Sequence, residues 1–288
     1  MSKESVLRSI PQQYIDRARN TLHIAYQHTS HGTHVSYGLY GLPDYKNGDN
    51  ALFAISHNDH QPGKLDFNDY ALESYADLGE DASDLSRDED AFIHATRNFL
   101  DTPGNSNINV VMWSWCSISY HNVAGTYIPG MQTLINEYGP GGSKIGTGPG
   151  KTRTTPVTFI FMTGHAEAGA NIGEGEPKNQ AELIVNYCKA HNYFCLDYYS
   201  IDTHDMNDNY WEDTGDNGNS TSYGGNFYED WQNSHSLGVN WYENRTMPSS
   251  YAGSYPTYGD HNTQHITANR KAYAMWWILA RIAGWGEE

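Results

Sequence analysis

The chain is poor in cysteine, in basic residues and in long apolar runs, and each shortage excludes a class of protein. Its three cysteines (Cys116, Cys188 and Cys195) allow at most one disulfide, which excludes a fold held together by several bridges. Seventeen basic residues stand against 34 acidic ones, so the formal net charge is −17 at pH 7. Such a charge repels phosphate groups, and we therefore expect no nucleic-acid partner. No apolar run approaches the roughly 20 residues that cross a bilayer, so no membrane insertion is expected.

What the sequence does contain predicts one α/β domain over residues 1–288. Four apolar runs, near 22–27, 109–115, 157–163 and 194–199, alternate with helix-like segments. Continuous apolar runs of this length are typical of a mainly parallel sheet covered by helices on both faces. Residues 38–66 are predicted as loop, and residues 4–19 as a short helix. Residues 203–258, dense in acidic and aromatic residues, are predicted as a long loop insertion within the domain.

Each predicted strand is followed by polar side chains, and the carboxyl ends of parallel strands share one sheet edge. The first strand leads into His28, Ser30, His31 and Gly32, the second into Ser114 and Cys116, the third into His165, and the fourth into Asp197 and Asp202. We therefore expect a ligand site at this edge.

Ser30 is the candidate nucleophile because it stands where a strand turns sharply into the next element. Backbone N–H groups near Ser30 and Gly32 would then stabilise an oxyanion. A serine needs an adjacent base, and the candidates are His28 and His31 locally, or His261 and His265 before the last helix. Asp260 is the carboxylate beside them. The alternative interpretation is that Ser30 only caps a turn.

Four motifs occur in a fixed order: HTSHG after the first strand, WCS after the second, MTGH after the third, and a histidine loop before the ARIAGW helix. This order resembles that of the SGNH (GDSL-like) hydrolase superfamily. The first motif is similar to that of a divergent branch reading His-x-Ser-x-Gly. The resemblance spans about residues 21–285 except 203–255. It implies a three-layer α/β/α sandwich of the SGNH/flavodoxin-like kind, with Ser30 as nucleophile and His265 as base.

The sequence departs from this family at two positions. The family's acid lies three residues before its histidine, where this chain has Asn262, so either Asp260 substitutes or His261 is the base with Asp260 behind it. The family's oxyanion asparagine is replaced by WSWCS, which leaves Ser114, Cys116 or backbone N–H groups for that role.

Metal binding is a further hypothesis. Asp205, Asp208 and Asp213 lie in an Asn- and Gly-rich run that suits calcium, with a solvated acidic loop as the alternative. His261 and His265 have a spacing seen in zinc sites, and His57 and His60 fall one residue short of it. No cofactor is expected to be required.

The insertion's aromatic residues, with Tyr228 and Trp231 as candidate contacts, favour a carbohydrate ligand, since sugars stack on rings. The remaining candidate substrate contacts are His28, His31, Gly32, Ser114, Cys116 and His165. The leading hypothesis is an esterase acting on an acylated carbohydrate. The alternatives are a polysaccharide lyase or glycosidase that uses His and Tyr in the same cleft, or a glycan-binding protein without catalysis. We expect a monomer or small homo-oligomer that is secreted or periplasmic after removal of a signal peptide, with the cytoplasm as the other location.

Overall fold

A five-stranded parallel sheet forms the centre of the computed structural model, which describes residues 1–251 and 264–286. The strands are β1 (His23–Gln27), β2 (Asp66–Asp69), β3 (Val110–Trp113), β4 (Thr158–Met162) and β5 (Phe194–Leu196). They are ordered β2-β1-β3-β4-β5, and each neighbouring pair is parallel. The predicted α/β fold with a mainly parallel sheet is confirmed.

Helices precede, connect and follow these strands. In the described ranges they are α1 (Glu4–Ser9), α2 (Gln12–Thr21), α3 (Thr33–Gly41), α4 (Asp49–Leu52), α5 (Ala91–Asp101), α6 (Ile128–Tyr138), α7 (Pro177–His191), α8 (Tyr198–Thr203), α9 (Phe227–Asn233) and α10 (His265–Ile282). The helix predicted over 4–19 is two helices, because Pro11 lies between α1 and α2 and has no N–H to continue the first. None of the described helices is both long enough and apolar enough to span a bilayer.

The sheet separates two hydrophobic cores, which gives three layers. Alternate side chains of a strand point to opposite faces, so Met112 packs into one core and Val111 into the other. Helices α1, α2, α3 and α10 contribute to the first core, and α5, α6 and α7 to the second. Because both faces are covered, β1, β3, β4 and β5 consist mainly of apolar residues, and this is why these four strands could be recognised in the sequence.

Two features of the connections differ from the sequence-based expectation. The segment 38–66, predicted as loop, contains the end of α3, the short helix α4 and the first residue of β2. Strand β2 was missed because its sequence, DFND, is polar at three of four positions, although Phe67 is fully buried.

The described part of the insertion, 203–251, has little regular structure. It contains α9 and two small antiparallel pairs, β6 (Asn219–Ser220) with β7 (Gly225–Asn226) and β8 (Arg245–Met247) with β9 (Ser250–Tyr251). Its aromatic side chains form a separate small core in which Phe227, Tyr228 and Trp241 pack with Ile266 of α10. This cluster attaches the insertion to the main domain.

Helices α3 and α10 pack closely where Gly38 meets α10, and this contact predicts a large stability effect. A Cβ at Gly38 would overlap with the carbonyl oxygen of Ala268, a backbone atom that cannot rotate away. We expect Gly38→Ala to lower the free energy of unfolding by about 2–3 kcal/mol, measured by urea denaturation. Gly104→Ala is the matched control, since a Cβ there meets nothing within 4 Å. Equal effects of the two substitutions would contradict this account of the helix contact.

Candidate active site

The loops that follow β1, β3 and β4 meet at the carboxyl edge of the sheet, beside the gap between β1 and β3. The chain leaves β1 for β2 on one side and later returns to β3 on the other. In parallel sheets of this order, the change of direction opens a crevice above the two strands where ligands bind. Ser30 follows β1 at this point, and Ser114 and Cys116 follow β3.

Ser30 lies in a strained turn between β1 and α3. Its φ of 32° is in the left-handed region, which residues other than glycine rarely adopt. The turn is pressed against β3, because a Cβ on Gly32 would overlap with His28 and with the Ser114 hydroxyl. Ser30 itself is only partly buried. The sequence thus folds into a turn that leaves Ser30 partly exposed at the carboxyl edge of the sheet.

The surroundings of Ser30 are held by hydrogen bonds. The Ser30 side chain hydrogen-bonds Cys116, whose thiol has a pKa raised by burial and partly lowered again by that bond. The Cys116 N–H donates to Ser86 Oγ at 2.8 Å. The Gly32 N–H donates to the Thr29 carbonyl at 2.9 Å, so it is not available to an oxyanion. The Ser30 N–H makes no hydrogen bond to a described residue and is the better candidate for that role.

A pair of stacked imidazoles lies beside this turn. The rings of His31 and His165 are parallel within 11°, with centroids 3.5 Å apart. His31 Nε2 is 3.3 Å from Asp216 Oδ2, so the insertion delivers a carboxylate to the site. Burial, and then the neighbouring His31, lower the pKa of His165 to about 4. His165 is therefore neutral near pH 7.

A buried ion pair lies next to the histidines. Lys271 Nζ is 2.8 Å from Asp202 Oδ1, and both side chains are fully buried. The ammonium is also 3.5 Å from His34 Nδ1 and 3.8 Å from the centroid of the Tyr198 ring. Burial raises the pKa of Asp202 to about 7, although Lys271 opposes this shift, and burial lowers the pKa of Lys271.

Tyr198 connects this ion pair to the turn that carries Ser30. Its hydroxyl donates to the His31 carbonyl at 2.8 Å and lies 2.6 Å from His34 Nδ1. The position of the His31 carbonyl therefore depends on Tyr198 of α8, which in turn contacts His34 of α3 and Lys271 of α10.

Two of the predicted substrate contacts are closed off from solvent. His28 is fully buried, with Nε2 2.7 Å from Asp69 Oδ1. The Tyr40 hydroxyl donates to the other oxygen of Asp69 at 3.1 Å. Ser114 is also fully buried. These residues support the turn from below, whereas Cys116 hydrogen-bonds Ser30, and His31 and Gly32 follow Ser30 in the same turn.

The predicted pairing of Ser30 with His265 is not formed. Helices α3 and α10 run antiparallel, since His34 lies near Lys271 and Gly38 near Ala268. His265 is therefore at the far end of α3, where Asn244 packs against Gly41. Gly41 follows Ser30 by eleven positions, which is about 16 Å along a helix.

His265 instead fixes the insertion to α10, and this predicts a dependence of stability on pH. Its Nδ1 accepts hydrogen bonds from the Asn244 N–H at 3.1 Å and from the Asn244 side chain at 2.9 Å, which requires a neutral ring. Burial lowers the pKa of His265 to about 4. As pH falls from about 6.5 to about 4, the unfolded chain binds a proton that the folded chain does not, so the free energy of unfolding decreases, by up to about 3 kcal/mol.

His265→Gln, which keeps an acceptor, should reduce this loss between pH 7 and pH 4.5 in urea unfolding. The exposed His191 provides the control variant, His191→Gln. An unchanged pH slope in His265→Gln would refute the assignment.

The other predicted catalytic residues and the three aspartates of the predicted calcium site do not form a common site in the part of the chain that the structure describes. Asp260 and His261 lie outside the described residues. Asp205 accepts bonds from Asn209 and Trp211, Asp208 pairs with Lys3, and Asp213 accepts from Ser220. Groups of potential metal ligands do come together within the described ranges, but none of them includes these three carboxylates.

The two predicted aromatic contacts differ in exposure. Tyr228 is fully buried, and its hydroxyl donates to the His204 carbonyl at 3.0 Å, so it cannot stack on a sugar. Trp231 is partly exposed and borders a cavity of about 210 Å³ together with Tyr223, Asp205 and Asp230.

Two residues of the site were not recognised as such in the sequence. Lys271 directly follows Asn269 and Arg270 at the point where α10 becomes apolar, so the sequence does not distinguish it as a buried cation. Asp216 is one of several aspartates in the insertion, and nothing in the sequence distinguishes it from the others.

Comparison with protein-family models, with curated proteins and with solved structures finds no match for this chain. What can be concluded about its activity therefore depends on the geometry of its own residues.

Proposed function

We propose that this protein is a serine hydrolase that cleaves the ester bond of an acylated carbohydrate, with Ser30 as its nucleophile. The observation that carries the proposal is the strained backbone of Ser30 at the β1/β3 crevice. Strain of this kind persists where the surrounding structure imposes it, and it is frequent at catalytic residues. A sharp strand-to-helix turn of this type exposes the nucleophile of many α/β hydrolases.

His31 is the general base in this proposal. The Asp216 carboxylate lies at its Nε2 and would hold a proton there, which leaves Nδ1 as the basic nitrogen. As the Ser30 Oγ attacks the acyl carbon, its proton passes to His31. The tetrahedral intermediate then collapses, the bond to the alcohol oxygen breaks, and His31 returns the proton to that alcohol. Water hydrolyses the acyl-enzyme by the same steps in reverse order.

Covalent labelling tests this assignment. A fluorophosphonate should add one mass equivalent to the intact protein, located on the peptide that contains Ser30. Ser30→Ala should abolish labelling, and Ser119→Ala, at a serine on the same rim, should not. Labelling that persists in Ser30→Ala would refute the proposed nucleophile.

The identity of the base is tested in parallel. His31→Gln and Asp216→Asn should slow labelling at least about tenfold, whereas His265→Gln should leave it unchanged. If His261→Gln slows labelling and His31→Gln does not, the base is His261 rather than His31.

The carbohydrate part of the proposal is supported by the cavity beside Trp231. Its lining combines aromatic rings, Tyr223 and Trp231, with the polar groups of Asp230 and Ser234. Rings that stack on a sugar and polar groups that bind its hydroxyls are typical of saccharide sites. One face of the Trp231 ring is covered by His235, with centroids 4.0 Å apart.

This cavity predicts a selective effect on substrate binding. Trp231→Ala should raise KM for an acetylated oligosaccharide by about fivefold to tenfold, because a stacking contact contributes on the order of 1 kcal/mol. KM for p-nitrophenyl acetate, which has no sugar to stack on Trp231, should not change. KM is measured for both esters by steady-state kinetics. An equal change in KM for the two esters would contradict a role of Trp231 in sugar binding.

A further inference from the structure

A second cluster of chemically active side chains lies at the amino end of the sheet, on the edge opposite Ser30. His23 is the first residue of β1 and Asp66 the first residue of β2, and the two are paired in register across the parallel strands. His60 reaches the same point from the loop that precedes β2. The five residues of β1, about 16 Å of strand, separate this cluster from the turn that carries Ser30.

The two imidazoles converge on one oxygen of the Asp66 carboxylate. Asp66 Oδ2 is 2.7 Å from His23 Nδ1 and 3.6 Å from His60 Nδ1. The other oxygen, Oδ1, accepts a hydrogen bond from the Asn68 amide at 3.2 Å. The Asn68 side chain also donates to the Ile24 carbonyl at 3.0 Å, so the group that orients Asp66 is itself fixed to the sheet.

Burial makes the cluster asymmetric. The Asp66 side chain is 2% exposed, His23 is 21% exposed and His60 is 51% exposed. A carboxylate removed from water and facing two imidazoles is stabilised by a cation. The open side at His60 gives such a cation a path from solvent and room for a water molecule.

We propose that His23, His60 and Asp66 bind a zinc ion, with water as a fourth ligand. All three ligand atoms lie within 4.8 Å of one another. Ligands at 2.0–2.2 Å from a tetrahedral zinc are about 3.3 Å apart, so only small rotations of exposed side chains are required. Two imidazoles favour zinc over calcium or magnesium, which prefer oxygen ligands throughout. The Asn68 amide would supply the outer hydrogen bond that orients a ligating carboxylate.

A second group, Asp77, Glu80 and His94, provides a comparison within the same chain. Its ligand atoms are equally close, but it has one imidazole, and the Asp77 side chain is 59% exposed. Fewer nitrogen ligands and better solvation should make it the weaker zinc site, so His94 serves as a control.

The test is competition for Zn²⁺ between the full chain, free of any affinity tag, and a chromophoric chelator. The wild type should bind one equivalent tightly. His60→Gln should weaken binding at least about tenfold, and this half-exposed position should tolerate the change. His57→Gln, in the same loop, and His94→Gln should bind like the wild type.

Co²⁺ gives an independent readout. The wild type loaded with Co²⁺ should show the visible absorption of a tetrahedral complex, and His60→Gln should lack it. The proposal is overturned if the wild type binds no Zn²⁺ or if His60→Gln binds as tightly as the wild type. It is also overturned if His57→Gln loses as much affinity as His60→Gln. None of these outcomes depends on esterase activity, so they are distinct from a failure of the Ser30 proposal.

Discussion

Replacing Ser30 by alanine is expected to lower kcat for p-nitrophenyl acetate by a factor on the order of 10⁴, with little change in KM. In the proposed mechanism the Ser30 hydroxyl forms the covalent bond to the acyl group, so its loss removes the acyl-enzyme step. Steady-state kinetics with acetate release as a second readout would measure the effect.

Ser30→Gly separates the chemistry from the strain. Glycine adopts a φ of 32° without penalty, so this variant should be as inactive as Ser30→Ala and more stable than the wild type by about 0.5–1 kcal/mol. Ser249→Gly relieves a similar conformation, φ 66°, on an exposed residue and should leave activity unchanged. Full turnover in either Ser30 variant would exclude Ser30 as the nucleophile.

Replacing Lys271 by methionine is expected to lower the free energy of unfolding by about 3–5 kcal/mol at neutral pH. Methionine is similar to lysine in length but carries no charge, so the substitution leaves Asp202 fully buried without its cation. Asp202 has a folded-state pKa raised by burial, so the folded protein holds its proton more tightly than the unfolded chain does. At low pH the protonated Asp202 carboxyl carries no charge and destabilises the variant little. As pH rises the carboxyl ionises, and the buried charge lowers the free energy of unfolding. The destabilisation should therefore be smaller at pH 5 than at pH 8.

Two variants complete this experiment. Lys271→Met combined with Asp202→Asn removes both charges and should recover much of the lost stability. Lys3→Met breaks the exposed pair with Asp208, in which both side chains are more than a third exposed, and should cost no more than about 1 kcal/mol. Urea unfolding of the three variants is the measurement. The interpretation fails if Lys271→Met costs no more than Lys3→Met.

The central strands could be predicted because their pattern is local. Each of the runs near 22–27, 109–115, 157–163 and 194–199 contains a strand of the sheet. Strand β2, at the edge of the sheet, could not be recognised, since three of its four residues are polar although most of them are buried. The position of β2 is determined by its pairing with β1, a long-range contact that cannot be recognised from the four residues of β2 alone.

The candidate site was predictable to a lesser extent. That His31, Ser30, Cys116 and His165 gather at one edge follows from the strand ends to which they are attached. The choice of base does not follow, because it depends on how α10 crosses α3. The antiparallel packing of these helices places Lys271, not His265, near the amino end of α3.

The sequence by itself determined the parallel sheet and the edge at which its polar groups emerge, because strand identity and strand direction are properties of short segments. Only the tertiary structure decided which of those groups meet. Asp216 reaches His31 across 185 positions of sequence, and His60 joins His23 across 37. Such pairings form when separate segments pack on a common core, so they cannot be predicted from the sequence of any one segment.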